Sequence, residues 1–148
     1  MNYFLPEYLD DSNKELWDKA CREYNYYMTG NEEIFSKAFL KEYRNGGFHD
    51  YRIVRIKSEF TGSGAVNITV ELEHNGRRYL LISKDVTSSS ITINNQDKSI
   101  PNNCYLYGEY YKDADGAFNH NFLFGNGSEC DITSKGFVFE TQKESIQQ

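Results

Sequence analysis

Two periods of hydrophobic recurrence divide the chain. Up to Gly46-Gly47 apolar residues return every three or four positions, and from Tyr51 onward they alternate with polar ones. In the first part Leu16, Ala20, Tyr24 and Met28 share one stripe, widened by Trp17, Cys21 and Tyr27. That stripe predicts an amphipathic helix. Ser12 and Glu15 have the spacing of a capping box at its start, and Gly30 supplies a stop. Residues 1–11 read as an extended lead-in. Asn31, followed by Glu32 and Glu33, opens a second helix with the face Ile34, Phe35, Ala38, Phe39 and Tyr43, and Gly46-Gly47 ends it. Two short amphipathic helices cannot bury their stripes alone, so they must pack on each other or on a sheet.

The β part begins at Phe48-His49-Asp50, where the two halves must meet. A first strand over 51–60 carries Tyr51, Ile53, Val54, Ile56 and Phe60, and its alternation slips between Ile53 and Val54, as at a bulge or under burial on both faces. Val66, Ile68, Val70 and Leu72 then alternate with Asn67, Thr69, Glu71 and Glu73. His74-Asn75-Gly76-Arg77 is a hairpin signal. Tyr79–Ile82 is apolar on both faces and predicts an interior strand. A fourth strand holds Ile91 and Ile93, and a polar loop over 94–103 contains Pro101, which bars regular pairing. Cys104–Tyr111 and Ala117–Phe124 form a hairpin joined through Lys112–Gly116. After Gly125-Asn126-Gly127 come a short strand around Cys130 and Ile132 and a last one through Phe137, Val138 and Phe139. Residues 141–148 are polar and are expected to fray.

This order predicts a single α+β domain over 1–148: a helical segment (1–47), a β region (48–140) and a polar tail (141–148). Its architecture is two N-terminal helices followed by a mainly antiparallel, strongly curved sheet or sandwich of seven to eight strands. A five-residue loop at Lys112–Gly116 sets Tyr110 opposite Phe118 and Gly108 opposite His120. One face then holds Leu106, Gly108, Tyr110, Phe118, His120 and Phe122. The other holds Tyr105, Tyr107, Glu109, Tyr111, Asn119 and Asn121. A one-residue slip would put Glu109 opposite His120 and raise the imidazole pKa, but the five-residue loop separates apolar from polar better.

Composition narrows the function classes. With 148 residues the chain is long enough to bury a core, and its 12 Tyr and 10 Phe exclude disorder. Tyrosine in such numbers suits a sheet with one buried and one partly wet face. A net charge of −6 argues against a phosphate backbone as partner, and the aromatic strand lacks the Arg and Lys that flank RNA-binding aromatics. No nucleic acid is expected. Cys21, Cys104 and Cys130 have no paired spacing, and the first residues lack a signal-type core; reduced thiols and a cytoplasmic location are expected. No apolar run approaches the roughly 18 residues of a membrane span.

Several short stretches are similar to an uncharacterised bacterial family, domain of unknown function 4085. They are Met1-Asn2-Tyr3-Phe4, Phe48-His49-Asp50, Lys84-Asp85-Val86, Tyr107-Gly108-Glu109-Tyr110-Tyr111 and Phe118-Asn119-His120-Asn121-Phe122-Leu123. Tyr51 and Gly108 depart from the family pattern, which has a small apolar residue after the His-Asp pair and an acidic residue before the Glu. The resemblance implies a fold and candidate positions, and no activity. In architecture the chain is also similar to small bacterial immunity proteins.

The candidate chemistry is sparse. His49, Asp50, Glu109 and His120 would make a metal or acid–base site if they converged in one cleft. The structural alternative makes His120 a hydrogen-bonded core or rim residue, and gives His49 or Asp50 the capping of backbone groups at the helix-to-strand junction. The His-Asp dipeptide resembles the metal pair of the His-Asp phosphohydrolases, but that family carries it on a helix among further His and Asp ligands, and this chain has three His in all. Asp113 and Asp115 lack the Glu that closes a calcium loop, and Gly62-Ser63-Gly64 precedes neither Lys nor helix. No Gly-x-Ser-x-Gly elbow occurs. No cofactor or metal is expected. Tyr105, Tyr107 and Tyr111 around Glu109 are the best surface candidate for binding another protein, unless the helices cover that face. The leading expectation is a non-enzymatic, immunity-like or regulatory protein-binding module. The alternative is a small metal-dependent enzyme or small-ligand binder, the latter with its pocket between helices and sheet.

Overall fold

The computed structural model describes residues 2–9, 11–94, 99, 101–125 and 127–143. Helix α1 spans Lys14–Gly30 and α2 spans Lys37–Arg44; six strands follow, β1 (Tyr51–Phe60), β2 (Val66–His74), β3 (Arg77–Thr92), β4 (Cys104–Lys112), β5 (Phe118–Phe124) and β6 (Ser128–Lys143). All pairings are antiparallel, and the order β1-β2-β3-β6-β5-β4 closes into a barrel. The α+β class stands, and the strand count among the described residues is six in place of the expected seven or eight.

Two mergers explain the difference. The third and fourth expected strands are one, because the chain crosses Asp85 in a left-handed conformation (φ 50°) instead of turning back. Its amide is held by the Asn67 side chain at 3.1 Å. The seventh and eighth are likewise one, β6, which pairs with β3 from Arg77↔Lys143 to Thr92↔Glu129. Residues 141–143 therefore extend a strand and do not fray, whereas 144–148 lie outside the described residues, as do 95–98 and 100 of the polar loop. The slip after Ile53 is a register shift between Ile53 and Arg55, and the Asn75-Gly76 turn has both φ values positive (49° and 69°), as a type I′ hairpin requires.

The helix starts also differ from the capping pattern. Asn13 occupies the cap of α1 with no side-chain cap bond, since a 3-10 turn over Asp11–Asn13 runs straight into the helix. Glu32–Ile34 is a separate 3-10 turn, and α2 begins three residues later, where the Ser36 hydroxyl accepts from the Phe39 amide at 3.1 Å. On α1 the stripe Ala20, Tyr24 and Met28 is buried and Leu16 is not. Phe39 of α2 is fully buried, its ring 4.8 Å from Tyr110, 5.5 Å from Phe137 and 5.7 Å from Phe139. An aromatic core of this kind supplies the apolar area that two short helices need in order to dock.

The barrel closes unevenly. β1 meets β4 only at Tyr51↔Tyr105 and Arg52↔Cys104. Beyond that contact α1 takes the place of a strand. The Tyr24 hydroxyl accepts from the Tyr110 N–H at 2.6 Å and donates to the Tyr110 C=O at 3.3 Å, and the Tyr27 hydroxyl accepts from the Lys112 N–H at 2.9 Å. Spacing of three along a helix puts both phenols on one side, and they satisfy a strand edge that would otherwise be left unpaired.

Candidate functional site

The β4–β5 hairpin has Lys112↔Phe118, Tyr110↔His120, Gly108↔Phe122 and Glu109↔Asn121. This is two residues away from the expected register. The loop is Asp113–Ala117, built by the Asp113 carboxylate, which accepts from the Asp115 and Ala117 amides at 3.0 Å each. A shift of two preserves which residues share a face. His120 thus lies inside the barrel with Tyr110, Phe118 and Phe122, and Glu109 lies on the outer face with Tyr107 and Tyr111. A bulge between Tyr105 and Tyr107 turns Tyr105 inward, against the expectation that it shares the outer face.

The tyrosine-bearing face is covered. Glu109 is wholly buried beneath the N-terminal segment, and its carboxylate accepts three backbone N–H groups: Asn2 at Oε2 and Tyr3 and Phe4 at Oε1, all at 2.6 Å. A buried carboxylate is tolerated when it is bonded this fully. Tyr105 is buried, and Tyr107 and Tyr111 are half-buried against Phe4, Trp17, Tyr3 and Tyr27. Of the open surface expected from Tyr105, Tyr107, Glu109 and Tyr111, none remains as a flat face.

His120 is also wholly buried. Its ring stacks on Tyr110 at 4.8 Å and Phe122 at 5.1 Å, and Nε2 lies 3.2 Å from the Tyr105 hydroxyl, which is 2.5 Å from that of Tyr110. Nδ1 has no partner among the described residues. Burial holds the imidazole pKa down at about 3, so the ring is neutral, and burial pushes the phenols of Tyr24, Tyr105 and Tyr110 well above their ordinary value.

His49 and Asp50 sit elsewhere, on the exposed turn entering β1. His49 Nδ1 is 2.9 Å from Asp50 Oδ2, and its ring lies 4.8 Å from that of Tyr107. Asp50 adopts φ 66°, and its amide donates to the Tyr105 carbonyl at 2.8 Å. The pair therefore fastens the junction where β1 begins. Cys104, which the sequence pattern did not single out, donates to Asp50 Oδ1 at 3.7 Å. The thiol and the imidazole thus each bond a different oxygen of Asp50. Burial, and then the Asp50 charge, raise the thiol pKa, which is the reverse of nucleophile activation. His49–Asp50, Glu109 and His120 thus occupy three separate places. No group of three or more His, Cys, Asp or Glu suited to a metal ion occurs among the described residues. Nor, among them, is any helix long and apolar enough to cross a membrane.

What the fold does create is a cleft at the seam. Between α1, the α2–β1 connection and the edge of β4 lies a hollow of about 540 Å³. Tyr24, Tyr43, Phe48, Tyr105, Tyr107 and Tyr110 line it, with Met28, Leu40 and Leu106. Among its polar members, Glu32 pairs with Arg44 and Tyr43 donates to Asn25 at 3.4 Å, while His49 pairs with Asp50, which lies outside the lining. Burial lifts the Tyr43 phenol to about 12, so it too is neutral. A second hollow, about 650 Å³, lies along the outer side of α1 beside Tyr3 and is lined by the exposed Arg22, Glu23 and Tyr26. No family model, curated protein or solved structure matches the chain.

Proposed function

We propose that the protein binds a small, largely apolar molecule in the seam cleft. One observation carries this reading: where β1 and β4 part, aromatic residues from both helices and from β4 wall a hollow of about 540 Å³, within the range of small-molecule sites. Catalysis draws no support from the arrangement, because the His49–Asp50 pair, Glu109 and His120 occupy three separate places. The resemblance to domain of unknown function 4085 adds positions to this reading and no activity. Protein-observed NMR with indole as probe tests it. Indole is expected to shift Met28, His49 and Tyr107, and Asn25→Trp, an exposed cleft position, to abolish those shifts by laying a ring across the hollow. Indole shifts confined to other surfaces, or unchanged in the variant, would remove the cleft from consideration.

A second reading, protein binding, now rests on a different strand. Past Asp85, whose amide is held by Asn67, β3 has no strand partner on its β2 side among the described residues, and Ile91 and, just beyond the strand, Ile93 are about half exposed (51% and 54%). Val86–Ile93 contains no charged residue, so an extended uncharged peptide strand would meet no repulsion there. Ile91→Lys should abolish complex formation if this edge is used, and leave it intact if not.

A further inference from the structure

Given a seam cleft that takes a small molecule, we infer that its ligand is an uncharged aromatic ring bearing an adjacent N–H and C=O, a lactam edge, which pairs with the peptide groups of Gly108. The argument starts from the parity of the β4 ladder. In an antiparallel pair, successive residues turn their N–H and C=O alternately toward and away from the partner strand. Tyr110 turns both groups away from β5, since the Tyr24 hydroxyl meets them. The Lys112 N–H does the same toward Tyr27. Gly108 belongs to the same unbroken register and so presents its peptide to the same side. The α1 phenols stop at Tyr110, and β1 reaches only Tyr105, whose carbonyl accepts from Asp50. Gly108 lies between them and lines the cleft.

The identity of residue 108 is fixed from the opposite side. A Cβ there would come within 1.9 Å of the Tyr105 hydroxyl inside the barrel. Glycine is thus demanded by the core, and its half-exposed backbone becomes the polar feature of an otherwise aromatic wall. A ligand matched to one residue's N–H and C=O needs an acceptor and a donor side by side, as a neighbouring strand would offer or as a lactam does in a single ring. Flanking rings of Tyr24, Phe48, Tyr107 and Tyr110 suit a flat ligand. Glu32 and Arg44 of the wall already hold each other, and His49 is bonded to Asp50, so a charged ligand would have to break a pair to gain one.

Isoquinolin-1(2H)-one and its N-methyl derivative test this on the unaltered protein, so no variant's folding is at issue. The lactam is expected to bind about fivefold to tenfold more tightly, with a downfield shift of the Gly108 amide proton. The N-methyl compound keeps the carbonyl but loses the donor to the Gly108 C=O, and its methyl group holds the ring off the strand, so its shift is smaller. Equal affinity of the two compounds in the cleft would overturn the pairing with Gly108 while leaving the cleft as a binding site. Lactam binding that leaves the Gly108 amide unmoved would do the same. If neither compound perturbs the cleft, the small-molecule reading falls with it.

Discussion

The two faces of β4 bury a titratable group in opposite ways. On the outer face Glu109 is surrounded by donors, three backbone amides within 2.6 Å, and hydrogen bonds to the carboxylate take the place of water. On the inner face His120 has one tyrosine hydroxyl at 3.2 Å and otherwise aromatic rings, and it is kept neutral. The first arrangement fastens the segment Asn2–Phe4 to the barrel. The second fills a core with a ring that has little hydrogen bonding to lose and no charge to shelter. Neither leaves a lone pair or proton facing a place where a substrate could sit. Between the faces lies the edge of the strand, and there alone does β4 turn polar groups toward an open hollow.

Acid should separate the faces most sharply. The His120 pKa is depressed in the folded chain and near 6.5 in the unfolded one, so between those values the unfolded state binds the extra proton. Stability is then full above about pH 6.5 and is lost as pH falls toward about 3, by about 5 kcal/mol in total. Urea denaturation at a series of pH values checks this, and His120→Gln should flatten the dependence by a similar amount whatever it costs at neutral pH. Glu109→Ala comes next: three amides, one buried and two part-buried, lose their acceptor, for about 3–5 kcal/mol, and hydrogen exchange at Tyr3 and Phe4 should rise to solvent-like rates. Unchanged exchange there would mean that the N-terminal segment is held by its aromatic rings alone.

Tyr24→Phe is expected to cost about 1–2 kcal/mol, since it removes one hydroxyl and leaves the Tyr110 peptide without its partner. Exchange of the Tyr110 amide should quicken more than that of its β5 neighbours. The smallest effect belongs to Asn25→Trp, within about 0.5 kcal/mol of the parent by thermal unfolding, because the position is exposed. A large destabilisation would show that the cleft wall is part of the core.

Much of the barrel was legible in the chain because it is written in local signals. The Asn75-Gly76 turn, the slip at Ile53 and the inward side of His120 all follow from period and turn chemistry. The mergers did not follow, since Thr87–Ser90 has the composition of a loop and only the β6 ladder makes it a strand. The hairpin register was missed by two residues because the Asp113 side chain, and not loop length, sets the turn. The cover over Glu109 was missed for a different reason, although this residue's face was read correctly. Its partners lie 105 to 107 positions away in the sequence, and no local pattern announces that the first residues will fold back over a strand face. The seam cleft is non-local in the same sense, arising where β1 and β4 fail to pair.

The claim that ties these regions together is that the buried polar groups of β4 hold the barrel and do not react. A ring-nitrogen NMR titration of His120 from about pH 8 to about pH 4 tests it most directly. The imidazole is predicted to stay neutral throughout, with unchanging nitrogen shifts. An imidazole that takes up a proton within that interval while the fold persists would contradict it.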